Sequence, residues 1–197
     1  MVHGIRPPNH AKIHTMSQKP ILLIIKGYAG AGKSTLAFEY AKQYDFALIK
    51  QDTFIFELNP GSMLERIARA PDTASGFKNI LSVIENYMVT QKPIILEGTL
   101  VALEKHDPLD FEPILELAKK YEYQTVLITI TAKERTRRWR QLKRRYRLPI
   151  DLDRKLADLA DEHHLPLPNH IIDTTKMSKS ETLVALHNVI SSIPPRP

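Results

Sequence analysis

The stretch ILLIIKGYAGAGKS, residues 21–34, decides the fold of this 197-residue chain. Its first five residues are apolar and predict a strand buried on both faces, and the residues that follow it, from Thr35, predict a helix. Between them, Gly27 to Ser34 matches the pattern G-x-x-x-x-G-K-[ST]. Its glycines let successive backbone N–H groups turn toward an anion, and the following helix adds its positive N-terminal end. The stretch therefore predicts a phosphate-binding loop between a parallel strand and a helix.

Every residue of this loop is a candidate nucleotide contact. Lys33 would reach the β- and γ-phosphates, and the Ser34 hydroxyl would take a position on Mg²⁺. The glycine spacing differs from G-x-G-x-x-G, which disfavours a dinucleotide fold. The cofactors expected are ATP and Mg²⁺. The predicted nucleotide-binding residues of the loop are Gly27, Tyr28, Ala29, Gly30, Ala31, Gly32, Lys33, Ser34 and Thr35.

Strand and helix patterns alternate along the chain, which predicts an α/β fold with a mostly parallel sheet covered by helices on both faces. We expect one domain over residues 20–192, a flexible N-terminal tail at 1–19 and a C-terminal tail at 193–197. The strand candidates are 21–26, 46–50, 94–97, 125–130 and 169–173. The helix candidates are 33–44, 63–70, 77–90, 111–122, 133–147, 151–163 and 179–192.

The composition narrows the class of protein. It is 43% apolar and 25% charged, as in ordinary globular domains, and contains no cysteine, which excludes disulfides, thiolate metal sites and cysteine nucleophiles. The longest clean apolar stretch, residues 21–25, is too short to span a bilayer, and residues 1–20 lack a secretory apolar segment. We therefore expect a cytoplasmic protein without a membrane partner.

Two carboxylates follow predicted strands, at the edge where open α/β sheets bind ligands. Asp52 comes after the strand at 46–50, and Glu97 closes the strand at 94–97. Phosphoryl transfer needs one group that orients and deprotonates the acceptor hydroxyl and an acid that helps to hold Mg²⁺. Asp52 suits the first role, and Glu97, together with Ser34, suits the second. The alternative interpretations are a turn aspartate and an unrelated strand-end charge.

The positive charge of the chain is concentrated in residues 133–147, which carry a net +8 against +6 for the whole chain. Helical spacing predicts an apolar stripe that faces the core, formed by Trp139, Leu142 and Tyr146. Arg138 and Arg145 flank this stripe, so we expect these two to reach the ligand as catalytic groups. Arg135 is a third candidate. The arginines predicted to project outward are Arg137, Arg140, Arg144 and Arg147.

These segments together resemble the P-loop kinases, and among them the group of zeta toxins and polynucleotide kinases. Gln51-Asp52-Thr53-Phe54 is similar to the zeta toxin segment that carries the catalytic base, and Leu96-Glu97-Gly98-Thr99 to their E-G-T strand end. The resemblance implies a P-loop kinase fold with a five-stranded parallel sheet, Asp52 as the base, and an arginine-rich lid after residues 133–147. It also implies that Asp173 and Thr174 lie near the adenine.

The function expected is transfer of the γ-phosphoryl group of ATP to a hydroxyl or phosphate of a small metabolite, nucleotide or sugar nucleotide. Arg66 and Arg69, within the segment 53–92, could meet an acceptor phosphate or remain solvated charges. A polynucleotide 5′-hydroxyl kinase is one alternative, since the outward arginines could follow a nucleic-acid backbone, although it is not favoured. A regulatory ATPase without an acceptor is the other, but it leaves Asp52 without a purpose.

Overall fold

The computed structural model describes residues 19–54, 73–98, 111–143, 151, 154, 158 and 167–194. Five strands alternate with five helices through these residues. In chain order the elements are β1 (Ile21–Gly27), α1 (Lys33–Tyr44), β2 (Ala47–Lys50), α2 (Thr73–Val89), β3 (Ile94–Glu97), α3 (Glu112–Lys120), β4 (Gln124–Thr131), α4 (Glu134–Leu142), β5 (Asn169–Asp173) and α5 (Lys179–Ser191).

The strands form one parallel sheet in the order β2-β3-β1-β4-β5. β1 lies at its centre, because a strand with six consecutive buried residues after Ile21 must be covered on both faces and flanked on both edges. The register places Glu97 of β3 beside Ile25 of β1 and Lys50 of β2. All five predicted strands, and the five-stranded parallel α/β sheet, are confirmed.

Each face of the sheet is covered by two helices. On one face α2 and α3 pack through Ile80, Ile84, Met88 and Ile114, all fully or almost fully buried. On the other face α1 and α5 pack through Tyr40, Leu186 and neighbouring side chains. Ile80, Ile84 and Met88 follow one another at intervals of four residues, which puts them on one face of α2. They form the apolar stripe through which α2 packs on the sheet.

Several predicted boundaries lie partly or wholly outside the described residues, including the N-terminal tail up to residue 18, the helix at 63–70 and most of the helix at 151–163. Within the described part, α2 begins at Thr73, before the predicted start at residue 77. α5 begins where Ser178 and Glu181 form a capping box, in which the Glu181 N–H donates to the Ser178 hydroxyl at 3.2 Å. Among the described helices, none combines the length and apolar character needed to cross a membrane.

The close approach of β1 to β4 requires a glycine at the end of β1. Gly27 has φ +138°, and a Cβ atom there would lie 2.0 Å from the carbonyl oxygen of Ile130. Because that oxygen belongs to a sheet backbone, it has no room to move away.

We expect Gly27→Ala to lower the free energy of unfolding by about 3 kcal/mol or more, from the backbone clash added to the strain of positive φ. Gly32→Ala is the matched control. Gly32 also has positive φ, but the nearest atom to its added Cβ, Nη1 of Arg140, is 4.0 Å away. Gly32→Ala should lower the free energy of unfolding by about 1–2 kcal/mol, from strain alone. Urea unfolding measures both variants, and equal losses would contradict the close-packing argument.

Candidate active site at the carboxyl ends of the strands

Polar residues from all five strands meet at one edge of the sheet, because parallel strands present their carboxyl ends together. β1 leads into the loop 28–32, and α1 begins with Lys33. β2 is followed by Gln51 and Asp52, and β3 ends with Glu97. The arrangement brings the predicted phosphate loop and both predicted carboxylates to the same edge.

The lysine of the loop is folded back onto the loop itself. Lys33 is only 7% exposed, and its Nζ donates to the Tyr28 carbonyl at 3.1 Å. Sequence reasoning gave no signal of this burial. A buried ammonium that donates to a loop carbonyl is well placed to exchange that contact for a negatively charged phosphate oxygen.

The loop is tied to the end of β3 by a side-chain hydrogen bond. The Ser34 hydroxyl donates to Oε1 of Glu97 at 3.0 Å. Glu97 is 4% exposed. Burial raises the pKa of Glu97 above its usual range, and the negative charge of Asp52 raises it further. Lys33, the Ser34 hydrogen bond and Lys50 act in the opposite direction. The net upward shift means that this carboxylate lacks enough positive charge around it to offset its burial.

The Ser34–Glu97 pair fits a magnesium ion. Both side chains offer hard oxygen ligands, and a cation would supply the positive charge that buried Glu97 lacks. The described residues contain no group of three His, Asp or Glu side chains that could hold a metal by themselves. The pair would therefore hold Mg²⁺ together with phosphate oxygens and water, which is the usual arrangement for this ion.

The short helical segment after β2 is fixed by a residue that sequence reasoning missed. Gln51 is buried, and a Cβ atom on Gly98 would lie 2.3 Å from its Oε1. Phe54 anchors the other end of the segment by packing against the core. Between these anchors Asp52 is exposed, yet close enough for its charge to affect Glu97. The glycine after Glu97 was the available signal, since it leaves room for the Gln51 side chain.

Helix α4 faces the phosphate loop with its polar side. Arg137 Nη1 and Gln141 Nε2 both donate to the Ala29 carbonyl at 3.3 Å, and Arg140 Nη1 donates to the Ala31 carbonyl at 3.1 Å. The Arg137 guanidinium also lies 4.9 Å from the centre of the Tyr28 ring. These residues are three and four positions apart, so they form one face of the helix.

The predicted orientation of this helix was wrong. Arg137, predicted to project outward, is 6% exposed, whereas Trp139 and Leu142 of the predicted core stripe are 57% and 56% exposed. The loop carbonyls need donors, and the arginine face supplies them. Arg138 forms an ion pair with Glu134 on the outer side. Arg145 lies outside the described residues, as do Arg144, Tyr146 and Arg147.

Thr174, just after β5, closes the other side of the loop. It is 3% exposed, and its hydroxyl donates to the Ala31 carbonyl at 2.8 Å. Arg140 reaches the same residue twice, from Nη1 to the hydroxyl at 2.8 Å and from Nη2 to the carbonyl at 2.7 Å. Asp173 is exposed, and hydrogen bonds from the hydroxyl and N–H of Thr175 lower its pKa. Thr174 is therefore a structural link between β5, α4 and the loop.

A cavity of about 400 Å³ opens beside the loop, between α1, α4 and α5. Its size suits a nucleoside. Thr35 and Thr174, both predicted nucleotide contacts, line it, whereas Asp173 does not. The lining also includes Gly30, Ala31, Gly32, Leu36, Glu39, Arg140, Lys143, Met177, Ser178, Lys179, Thr182 and Leu183.

We expect Arg140→Lys to loosen the loop in the protein without nucleotide, because an ammonium cannot make the same planar set of bonds to Ala31 and Thr174. The N–H of Ala31, which donates to the Tyr28 carbonyl at 3.2 Å, reports the change. Its hydrogen exchange should accelerate about 10- to 100-fold, the equivalent of about 1–3 kcal/mol. Arg135→Lys, an exposed site on the same helix, is the control. Identical exchange in both variants would contradict this role.

We expect Mg²⁺ to bind more tightly as pH rises through the raised pKa of Glu97. The metal needs the ionised carboxylate, and the upward shift moves ionisation above the ordinary value of 4.5. Below that pKa the Mg²⁺ affinity should rise about tenfold per pH unit, and above it should level off. Glu97→Gln should reduce this dependence to the part that comes from the terminal phosphate of ADP, and Glu112→Gln, an exposed acid on α3, should retain it in full. Mg²⁺ titrations with bound ADP from pH 5 to 8 would test this. A pH dependence unchanged in Glu97→Gln would exclude Glu97 as the titrating group.

Comparison with known proteins agrees with this geometry. No curated protein sequence matches the chain. Among solved structures, a candidate kinase from Chloroflexus aurantiacus is 21% identical with a TM-score of 0.63, over 89% of this chain and 98% of that one. A gluconokinase from Sinorhizobium meliloti is 13% identical with a TM-score of 0.57, over 89% and 99%. A thymidylate kinase from Candida albicans is 14% identical with a TM-score of 0.56, over 89% and 93%.

These structures share the P-loop kinase fold. An AAA domain family model (AAA_33) matches residues 22–166, so the chain belongs to the AAA domain family and has the P-loop kinase fold.

Proposed function

We propose that the protein is an ATP- and Mg²⁺-dependent kinase that moves the γ-phosphoryl group to a hydroxyl or phosphate of a small acceptor. The observation that carries this proposal is the Ser34–Glu97 hydrogen bond, at 3.0 Å, beside a lysine that is folded into the loop. A buried carboxylate with a raised pKa next to a serine hydroxyl has little structural value of its own. It becomes favourable when a divalent cation and phosphates are bound.

The residues of the site divide the reaction between them. The loop N–H groups and Lys33 would hold the β- and γ-phosphates, and Ser34 with Glu97 would hold Mg²⁺, which neutralises charge that develops on the phosphates. Asp52, exposed at the end of β2, would orient the acceptor hydroxyl and take its proton as the new O–P bond forms. The bond between the γ-phosphorus and the oxygen that bridges it to the β-phosphate breaks, and ADP leaves with that oxygen.

The proposed acceptor covers several classes of small molecule. Gluconokinases and thymidylate kinases are named for acceptors that differ from each other, a sugar acid and a nucleotide, so the shared fold serves more than one acceptor class. Arg66 and Arg69, for which the sequence left open an acceptor contact or a solvated charge, lie outside the described residues. The zeta toxin resemblance, carried by Gln51-Asp52-Thr53-Phe54, adds sugar nucleotides to the small molecules proposed.

The alternative of a polynucleotide 5′-hydroxyl kinase loses its main argument. It relied on an outward row of arginines along residues 137–147, but Arg137 and Arg140 bind carbonyls of the phosphate loop. Arg138 remains a proposed catalytic group, although its ion pair with Glu134 would have to open. We also propose a cytoplasmic location, where ATP and small phosphorylated metabolites are available.

A transfer screen with γ-labelled ATP tests the proposal. Nucleosides, nucleotides, sugar nucleotides and 5′-hydroxyl oligonucleotides are offered in turn, with Lys33→Ala as the inactive control. Label in a small acceptor, absent from the Lys33→Ala reaction, is expected. ATP hydrolysis that no acceptor changes would favour a regulatory ATPase, and label in the oligonucleotides alone would favour a polynucleotide kinase.

We expect Asp52→Asn to slow the single-turnover transfer rate by about 10²- to 10⁴-fold, since a general base contributes that much to catalysis. ATP affinity should remain within about threefold, because the acceptor side does not contact the nucleotide. Asp45→Asn is the matched control. Asp45 precedes β2 at the opposite end of the sheet and pairs with Lys92 at 2.7 Å. Equal losses of rate and ATP affinity in Asp52→Asn would assign Asp52 to the metal instead.

A further inference from the structure

The outer side of α4 carries a second concave surface, away from the phosphate loop. A cavity of about 510 Å³ is lined there by Glu134, Arg135, Arg138, Trp139, Leu142 and Arg154. Of the described residues, none lines both this cavity and the cavity beside the loop. The helix thus separates two sites, and its inner face belongs to the first.

This outer cavity is positively charged. Among the described residues that line it are three guanidiniums and one carboxylate, that of Glu134. Glu134 forms an ion pair with Arg138, and its Oε1 lies 3.9 Å from Nε of Arg154, so it holds both guanidiniums at the cavity. All four charged side chains are at least partly exposed. With three arginines and one glutamate, the described lining has a net charge of +2, which favours an anionic ligand.

The cavity also presents an aromatic ring to solvent. Trp139 is 57% exposed although it is a large apolar side chain, and Leu142 beside it on the helix is 56% exposed. Lys143 Nζ lies 3.7 Å from the centre of the Trp139 ring, which adds a fourth cation to the surroundings of the aromatic face. An exposed tryptophan among cations is the combination that stacks a base and neutralises its phosphate.

We propose that this outer cavity is a binding site for a nucleotide unit, whose base stacks on Trp139 and whose phosphate is held by Arg135, Arg138 and Arg154. The cavity volume lies within the range of about 300–1,000 Å³ that small-ligand sites occupy. The unit can be a free nucleotide or one residue of a single-stranded nucleic acid, which share this chemistry. The assignment of this site does not rest on the proposed kinase reaction, although Arg138 is proposed for both.

Trp139 is the only tryptophan of the chain, so its fluorescence reports directly on occupancy. We would titrate the protein with thymidine 5′-monophosphate, with an oligothymidylate of eight residues, with inorganic phosphate and with polyglutamate. Saturable quenching by the first two, and none by phosphate alone, is expected. The same titrations in Lys33→Ala, in which the loop site is impaired, should give the same result, which separates this site from the proposed kinase function.

Binding of a free nucleotide and binding of a single-stranded nucleic acid differ in their salt dependence. A single-stranded nucleic acid should bind more tightly than the monophosphate, with an affinity that falls steeply as salt is raised, and the double variant Arg135→Gln/Arg154→Gln should flatten that slope by about 1.4, from two contacts of about 0.7 each. Equal affinity for both probes would identify the free nucleotide as the ligand. Lys42→Gln/Lys119→Gln, which removes two exposed charges from α1 and α3, is the charge-matched control and should behave as wild type.

Three results would overturn the proposal. The first is the absence of saturable quenching with both nucleotide probes. The second is equal quenching by polyglutamate, which would assign the surface to an acidic protein. The third is unchanged binding of both nucleotide probes in the Arg135→Gln/Arg154→Gln variant, because the phosphate would then be held elsewhere.

Discussion

The carbonyl groups of the phosphate loop are the constraint on which the site depends. A loop that offers its N–H groups to an anion must turn its carbonyls away from that anion, and those carbonyls then need donors. Here the Ala29 and Ala31 carbonyls receive them from Arg137, Arg140 and Gln141 of α4, and Ala31 also from Thr174. The loop is therefore braced from outside, by two elements that come more than a hundred residues later in the chain.

This bracing explains why α4 presents its arginines inward. A buried carbonyl without a hydrogen-bond donor costs about 1–3 kcal/mol of folding stability. The carbonyls of Ala29, Ala31 and Thr174 all accept hydrogen bonds from the arginine face of α4. Burying Trp139 and Leu142 instead would stabilise the fold by about 1.5–3 kcal/mol for each side chain. The two contributions are of similar size, and in the structure the loop carbonyls are satisfied while the apolar pair remains exposed.

The strands, the loop and the two strand-end acids could be predicted from the sequence, because each follows from a short local pattern. Five apolar runs gave the strands, and the glycine pattern at 27–34 gave the loop. The inward face of α4 could not be predicted in this way. Helical spacing correctly groups Arg137, Arg140 and Gln141 on one face and Arg138 with Trp139 on another, but only the position of the loop carbonyls decides which face is buried. Gln51 was missed for a related reason, since Gly98 signals a close approach after Glu97 but no local pattern shows that Gln51 fills the space.

A single helix that separates two cavities also connects them. Arg140 belongs to the wall of the inner cavity, and Lys143, which lines that cavity as well, lies over the ring of Trp139 on the outer side. A ligand that stacks on Trp139 competes with Lys143 for the ring, and Lys143 is then free to turn toward a negative charge in the inner cavity. Since coupling free energies are reciprocal, a nucleotide that attracts Lys143 inward would in turn expose the Trp139 ring for stacking. The two sites would therefore favour each other's occupancy through one lysine, without any movement of the sheet.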